Sequence, residues 1–454
     1  MNALIVADDL TGAMDTGHQF AASGLETTVR ISRRPPDADE NVDARWQHEG
    51  DTDRQTPTAT AAVVAVTTET RYADAPTARE RVVRAVSVAD ADESTLVYKK
   101  VDSTLRGNVV AELEATTDAT GAALAVVAPA FPAAGRVTRD GIHTVDGVPL
   151  SETEYADDEN GPTTAHLPTL LAASRYPVDH VPLEDVSNGV EALAAVVRDA
   201  AGREGARVLS FDATRSSHLA AIADAAARCD ERVVYAGSGG LARYVTVPGD
   251  GRETDARRGR KLASAPNTTR KTGALGIVGS VNDRTLAQLE RVPDAAVIAL
   301  EPSDVLESPT TAGQEAGTRA GKRLAAGEIA VLTGARSNSD LEETLEIGRR
   351  EGLDRSQVRV RVKRALARAG RAAVDVQPPA GLFSTGGDVT VAVCEALEAS
   401  SVALTGEEIE DGIPVGRLET GPIAGTTIVT KAGGFGGESA IVNSLSRLRE
   451  DDRQ

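Results

Sequence analysis

The chain has 454 residues, with 68 acidic against 49 basic side chains and a formal charge of -19. That length exceeds one ordinary core and predicts two domains, while the acidic balance excludes a nucleic-acid surface, which needs a basic stripe to neutralise phosphates. The only cysteines, Cys229 and Cys394, exclude a disulfide scaffold or a cysteine zinc site and read as small buried apolar residues.

The start MNALIVADDLTG has no basic leader, and Asp8 and Asp9 break its apolar run, so no signal peptide is expected. No apolar stretch approaches the roughly 20 residues that cross a bilayer. The expectation is a cytoplasmic protein with neither membrane nor nucleic-acid partners. Acidic residues crowd stretches such as DADENVDARWQHEGDTD, while lysine is scarce and alanine abundant. This balance resembles that of salt-adapted proteins and is read as a solubility property rather than a binding surface.

Through the first half, apolar runs of strand length alternate with alanine-rich segments of helical period. The runs are ALIVADD, AAVVAVTTET, TLVYKKVDS, AALAVVAPAFP, ARVLSFDAT and RVVYAGSGG; TARERVVRAVSVAD, VEALAAVVRDAAG and HLAAIADAAARC read as helices. Such alternation predicts a parallel sheet covered by helices. The stretch PPDADENVDARWQHEGDTDRQTPTATA reads as an insertion loop. From Thr246 to Thr272 the rhythm gives way to Gly, Pro and charge, as in a linker. It restarts with GALGIVGS, AAVIAL, EIAVLTGA, GLFSTGGD and TTIVTKAGG, with DRTLAQLERV and GTRAGKRLAAG as helices. The fold class is therefore α/β, with two α/β domains of mainly parallel sheets and a cleft between them. Their expected bounds are residues 1–245 and 273–454, joined by the linker 246–272.

Ligands of open α/β sheets bind beyond the carboxyl ends of the strands, and the polar motifs fall there. ADDLTGAMDTG, TTETR and KKVDSTLRGN follow the first three runs. Asp8 and Asp9 can accept from vicinal hydroxyls, Arg71 and Arg106 can clamp a carboxylate, and Ser103 or Thr104 can complete the shell. These groups suit a small polyhydroxy acid. Asp9 can also cap a helix, a compatible role. Period-2 alternation sends Lys99 and Lys100 to opposite faces, so one of the two is expected at the site.

The run APAFPAAGRVTRDGIHTVDGVPLSETEYADD reads as a loop over the cleft. The spacing of Asp140, His143 and Glu152 within it matches no compact ligand set, so no protein-held metal is expected and His143 reads as structural. In the second domain, Gly279 and Ser280, then Gly386 and Gly387, then the glycines of TKAGGFGG stand at strand ends ahead of helices. Such turns bring backbone N–H groups close to phosphates. None matches GxxxxGK[ST] or GxGxxG, so an ATP site here would use a less common cradle, and a nicotinamide enzyme is disfavoured.

ADDLTGAMDTG, KKVDSTLRGN, the APAFPAAGRVTRDGIH run, GSGGLA, GSVNDRT, STGGDVT and TKAGGFGG together resemble the four-carbon acid sugar kinase family, in order from Ala7 to Gly437. The resemblance implies an N-terminal domain for threonate, erythronate or 3-oxo-tetronate and a C-terminal domain for ATP; the chemistry of phosphoryl transfer adds the expectation of Mg²⁺ bridging the β and γ phosphates, with few protein ligands. It assigns the substrate to Asp9, Arg71, Lys100, Asp102, Ser103 and Arg106. The nucleotide falls to Ser280, Thr385, Gly386, Gly387, Asp388, Gly433 and Gly434. Asp9 and Asp102 are the candidate catalytic bases, with Asp102 preferred. Val389 stands where relatives carry a hydroxyl, so hydrogen bonding at that turn is not carried over. A longer sugar acid as acceptor, or a sensor without turnover, stays open, and a homodimer is the assembly considered.

Overall fold

All five residues of the strand Ala3–Ala7 are apolar and buried, and a strand apolar on both faces demands a layer on each side. The computed structural model describes residues 1–31, 61–89, 91–92, 94–248 and 273–450. The acidic insertion and nearly all of the expected linker lie outside them.

Among the described residues a 15-stranded sheet runs the length of the molecule. Its C-terminal part, from the outer edge inward, is Val297–Ala299, Ala330–Thr333, Leu275–Val278, Gly381–Thr385, Thr427–Lys431, Pro414–Leu418 and Ser401–Glu408. The N-terminal part follows as Thr27–Arg30, Val63–Thr67, Ala3–Ala7, Leu96–Lys100, Val233–Gly237, Leu124–Ala128, Arg207–Phe211 and Val178–Val181. The two α/β lobes are thus joined edge to edge. The joint is antiparallel, Ser401 to Leu404 pairing with Arg30 to Thr27, whereas each lobe's central strands pair in parallel.

Helices cover both faces. Leu10–Ala22 is buried almost throughout and crosses the joint, where a methyl on Gly17 would meet Leu404 Cδ1 at 2.7 Å and Thr27 Cγ2 at 3.4 Å. In the C-terminal lobe a capping box between Asp354 and Gln357 starts the 22-residue helix Arg355–Val376. Pro309–Ala325 packs on it through glycines, Gly317 lying so close that a methyl would sit 2.2 Å from the Ala369 carbonyl. The run read as a loop over the cleft forms a small sheet, Arg136–Arg139, Ile142–Val145 and Val148–Pro149, followed by two short 3-10 turns. No described helix is long and apolar enough to cross a membrane.

Candidate functional site

Asp9 follows the first strand and caps the helix Leu10–Ala22, accepting from Gly12 N at 2.7 Å. Its other oxygen takes Arg71 Nη1 at 2.6 Å, while Arg71 Nε donates to Asp8 Oδ2 at 2.7 Å and Nη2 lies 3.5 Å from Asp102 Oδ1. One guanidinium therefore ties together three strand-end carboxylates. Asp102 is also gripped by Arg106, Nε to Oδ2 at 2.8 Å and Nη2 to Oδ1 at 3.2 Å. Arg106 Nη1 stays 3.6 Å from Asp158, beyond a hydrogen bond.

Two of these loops hold left-handed backbone, Glu69 at φ 50 beside Arg71 and Leu105 at φ 55 beside Arg106. Such conformations in residues other than glycine persist where surrounding contacts over-determine them. His143 supplies one such contact, its Nε2 bonding the Ser103 carbonyl at 2.9 Å and its Nδ1 the Thr138 hydroxyl at 2.9 Å. Burial lowers its pKa to about 4, so it serves as a neutral structural strut.

The two lysines diverge as alternation requires. Lys99 pairs with Glu112 at 2.7 Å in the interior, whereas Lys100 Nζ donates to the Val101 carbonyl and would lie 3.2 Å from a methyl on Gly12. Glu112, which also accepts from Thr70 Oγ1 at 2.7 Å, was not among the sequence candidates. Its only signal is an acid on the first turn of the helix Val109–Thr120 behind the motif.

The three carboxyls differ in basicity. Burial works against ionising Asp8, but Arg71, Lys99 and Lys100 outweigh it and hold the group low. For Asp102 burial is likewise overcome, by Arg106 and Arg71, and its pKa falls well below the usual carboxylate range. Asp9 moves the other way: burial, with Asp8 and Asp102 adding repulsion, prevails over Arg71 and Lys100 and raises it.

Three neighbouring strands of the C-terminal lobe end in the glycine turns. A methyl on Gly433 would meet Ser280 Oγ at 2.5 Å; one on Gly386, at φ 93, would meet Ser280 N at 2.9 Å. At Gly386 the positive φ and the backbone contact call for glycine, while a side chain at 433 would have to displace the Ser280 hydroxyl. Val389 is buried against Gly279, and the next hydroxyl, Thr390 Oγ1, donates to the Gly386 carbonyl at 2.9 Å. The valine is thus a packing residue. Asp388 lies in the first turn of the helix Gly387–Ala396, and Thr385 Oγ1 donates to the Lys431 carbonyl at 2.9 Å.

Lys431, also absent from the sequence candidates, is fully buried under the third turn. Its ammonium donates to Thr285 Oγ1 at 2.9 Å and to the Ala432 and Gly433 carbonyls at 2.9 and 3.0 Å. Burial, helped by Arg284 and opposed by Glu410, pulls its pKa down to about 7.

The lobes meet across these surfaces. A methyl on Gly387 would lie 3.1 Å from Asp9 Oδ2, and one on Gly434 would lie 2.8 Å from Tyr155 Oη. Asn282 Nδ2 donates to Glu154 at 3.1 Å, and Arg106 stacks on the Tyr155 ring at 5.3 Å. Between them opens a cavity of ≈ 470 Å³ lined by Arg136, Tyr155, Asn282, Arg284 and Gly434 among others. The niche formed by Asp8, Lys100, Asp102 and Arg106, in contrast, has ≈ 0 Å³ for water, with Arg106 folded onto Asp102 and Lys100 onto the Val101 carbonyl. Among the described residues no group of three or more His, Cys, Asp and Glu is arranged to hold a metal.

Residues 3–245 match a sugar-binding N-terminal domain and residues 275–441 a nucleotide-binding C-terminal domain. The chain is 30% identical over 459 residues to the D-threonate kinase of Salmonella typhimurium, covering 99% of each chain. It is 31% identical over 465 residues to the D-erythronate kinase of Heliobacterium modesticaldum, covering 98% of this chain and 97% of the relative. A crystal structure from Haemophilus influenzae superposes with a TM-score of 0.68 at 20% identity, over 98% of this chain and 100% of that one, a likeness of fold.

Proposed function

Because the chain belongs to the four-carbon acid sugar kinase family, we propose that it transfers the γ-phosphoryl group of ATP to the terminal 4-hydroxyl of threonate, erythronate or a 3-oxo-tetronate. The observation that carries this reading is the approach of Gly387 to Asp9, which sets the phosphate-type turn of one lobe against the polyhydroxy-acid wall of the other. We take residues 1–245 as the acid-sugar domain, 246–272 as the linker and 273–454 as the nucleotide domain.

In this reading Asp9, Arg71, Lys100, Asp102, Ser103 and Arg106 hold the acceptor. Its carboxylate takes the loosely held Nη1 of Arg106 from Asp158, which leaves the far hydroxyl directed at the other lobe. Ser280, Thr385, Gly386, Gly387, Asp388, Gly433 and Gly434 hold the nucleotide; turns too tight for a methyl and the Lys431 charge beneath them suit a polyphosphate. Magnesium, if it accompanies the nucleotide, would supply charge neutralisation for the phosphates; among the described residues no group of three or more His, Cys, Asp and Glu is arranged to hold it, so it would enter with the nucleotide.

We assign the base to Asp9 rather than to Asp102, the residue preferred from sequence. A carboxylate locked by two guanidiniums is a weak base, whereas the raised pKa of Asp9 suits proton acceptance. Asp9 takes the proton of the 4-hydroxyl and that oxygen bonds to the γ-phosphorus. The bond from this phosphorus to the bridging oxygen breaks, and ADP departs with its electron pair. From its charge of -19 we further infer a salt-adapted enzyme without nucleic-acid partners; a cytoplasmic location, no membrane partner and a homodimer belong to the same proposal, the last to be tested by light scattering.

The functional test is a coupled assay of ADP release with ATP, in high salt, over D- and L-threonate, D- and L-erythronate and the 3-oxo acids. Turnover of at least one acid is expected. Binding of both ligands without ADP release would make the protein a sensor and end the kinase reading.

A further inference from the structure

Arg136 begins the small sheet of the sugar-binding lobe and is only 5% exposed. Burying a guanidinium is costly unless an anion faces it, and Arg71 and Arg106 each meet that need with carboxylates. Arg136 does not. Among the described residues its contacts are the Ala134 carbonyl, at Nη1, and the Phe435 ring, 5.5 Å from Cζ, while Nε has no hydrogen-bond partner.

The side chain lines the ≈ 470 Å³ cavity between the lobes, its Nη2 3.8 Å from the point that a methyl on Gly434 would occupy. Tyr155, which carries Arg106 on its ring, reaches the same point. A cation of the acceptor lobe is therefore held against the glycine turn of the donor lobe, one aromatic ring away from the acid-sugar wall. The acids of this cavity, Asp146, Glu152, Glu154 and Asp283, are exposed at its rim and none pairs with Arg136. Among the described residues, then, the Arg136 guanidinium faces the cavity with no carboxylate paired to it.

We propose that Arg136 is a catalytic residue that bonds the oxygens of the transferring phosphoryl group and neutralises the charge that spreads over them. The role rests on the kinase reading above. Arg136 neither gains nor loses a proton as the oxygen–phosphorus bond to the acceptor forms and that to ADP breaks. A cation supplied by the acceptor lobe completes the site only when both lobes are assembled, which favours transfer to the sugar acid over transfer to water. A merely structural Arg136 would instead act by stacking on Phe435 to shape the nucleotide turn.

The test uses the full-length enzyme with Arg136→Ala and Arg136→Lys, measuring kcat and KM on an active tetronate, the Kd of ADP, and binding of ADP with aluminium fluoride in the presence of acceptor. Expected are a fall in kcat of about 10³-fold or more for alanine, partial recovery with lysine or added guanidinium, ADP affinity within about threefold of wild type, and loss of the aluminium fluoride complex. A kcat within about tenfold of wild type, or ADP affinity that falls as far as kcat, overturns the role. A wild type inert toward every tetronate overturns the kinase reading and this role with it; an active wild type beside an unimpaired alanine variant overturns the role alone.

Discussion

Gly387 begins a helix of the C-terminal lobe against Asp9 of the N-terminal lobe, with room for a methyl only 3.1 Å from the carboxylate. Asp9 also caps its own helix, so two helix N-termini converge on one acidic group. Removing the charge alone should therefore be informative. Asp9→Asn keeps a capping oxygen and should lower kcat by about 10²–10⁴-fold, with smaller changes in acceptor KM. Steady-state kinetics that return near wild-type turnover would transfer the base role elsewhere, and Asp102→Asn is the companion measurement.

Crowding at the same contact gives a steric prediction. Gly387→Ala should reduce turnover and Gly387→Val should nearly abolish it, because the added carbons enter the gap that the transferring group must cross. Thermal melts should change little, since position 387 lies at a helix start whose neighbours across the gap are side-chain atoms of Asp9 and Thr11. Equal losses of stability and activity would contradict this.

Lys431 links nucleotide binding to pH. Its pKa falls from the ordinary 10.5 to about 7 in the folded chain. Between these values the unfolded chain binds the extra proton, so this residue makes stability rise as pH climbs from about 7, and its cost is fully present below that. Subtracting denaturation curves of Lys431→Met from wild type over about pH 6.5 to 9.5 should expose that slope. A polyphosphate favours the protonated amine, so ADP affinity should weaken over the same range in wild type and stay flat in the variant. Parallel profiles would remove Lys431 from the argument.

Arg71 holds three buried carboxylates together. Arg71→Ala should cost about 3–5 kcal/mol of stability, as expected when one partner of a buried ion pair is removed. Asp8 and Asp102 have lowered pKa values, so their contribution is present above the usual carboxylate range and is lost as pH falls through the lowered ones. Acid unfolding of the variant, followed by circular dichroism, should begin at higher pH than in wild type. An unchanged acid midpoint would mean that the cluster is held together without Arg71.

Much of this architecture is written in local pattern. The buried strands Ala3–Ala7 and Leu124–Ala128 are unbroken apolar runs, and the polar groups that follow them had to lie at sheet ends. The joint between the lobes was illegible. Ser401–Glu408 is only half buried along its length and Thr27–Arg30 is four residues long, so neither carries a strong period, and their pairing spans most of the chain. Arg136 was hidden for another reason: its significance lies in having no paired carboxylate among the described residues, and no sequence records an absent neighbour. Lys431 stood within a motif noted for its glycines, yet its burial under the turn depends on Thr285, nearly 150 positions away.

The edge-to-edge joint has a consequence for anyone dissecting the gene. Expressed alone, the first half would present Thr27–Arg30 as a bare ribbon margin and the second half would present Ser401–Glu408, each a template for self-association. Separately purified halves should therefore precipitate or stick to one another, and mixing them during refolding is the way to recover a working molecule.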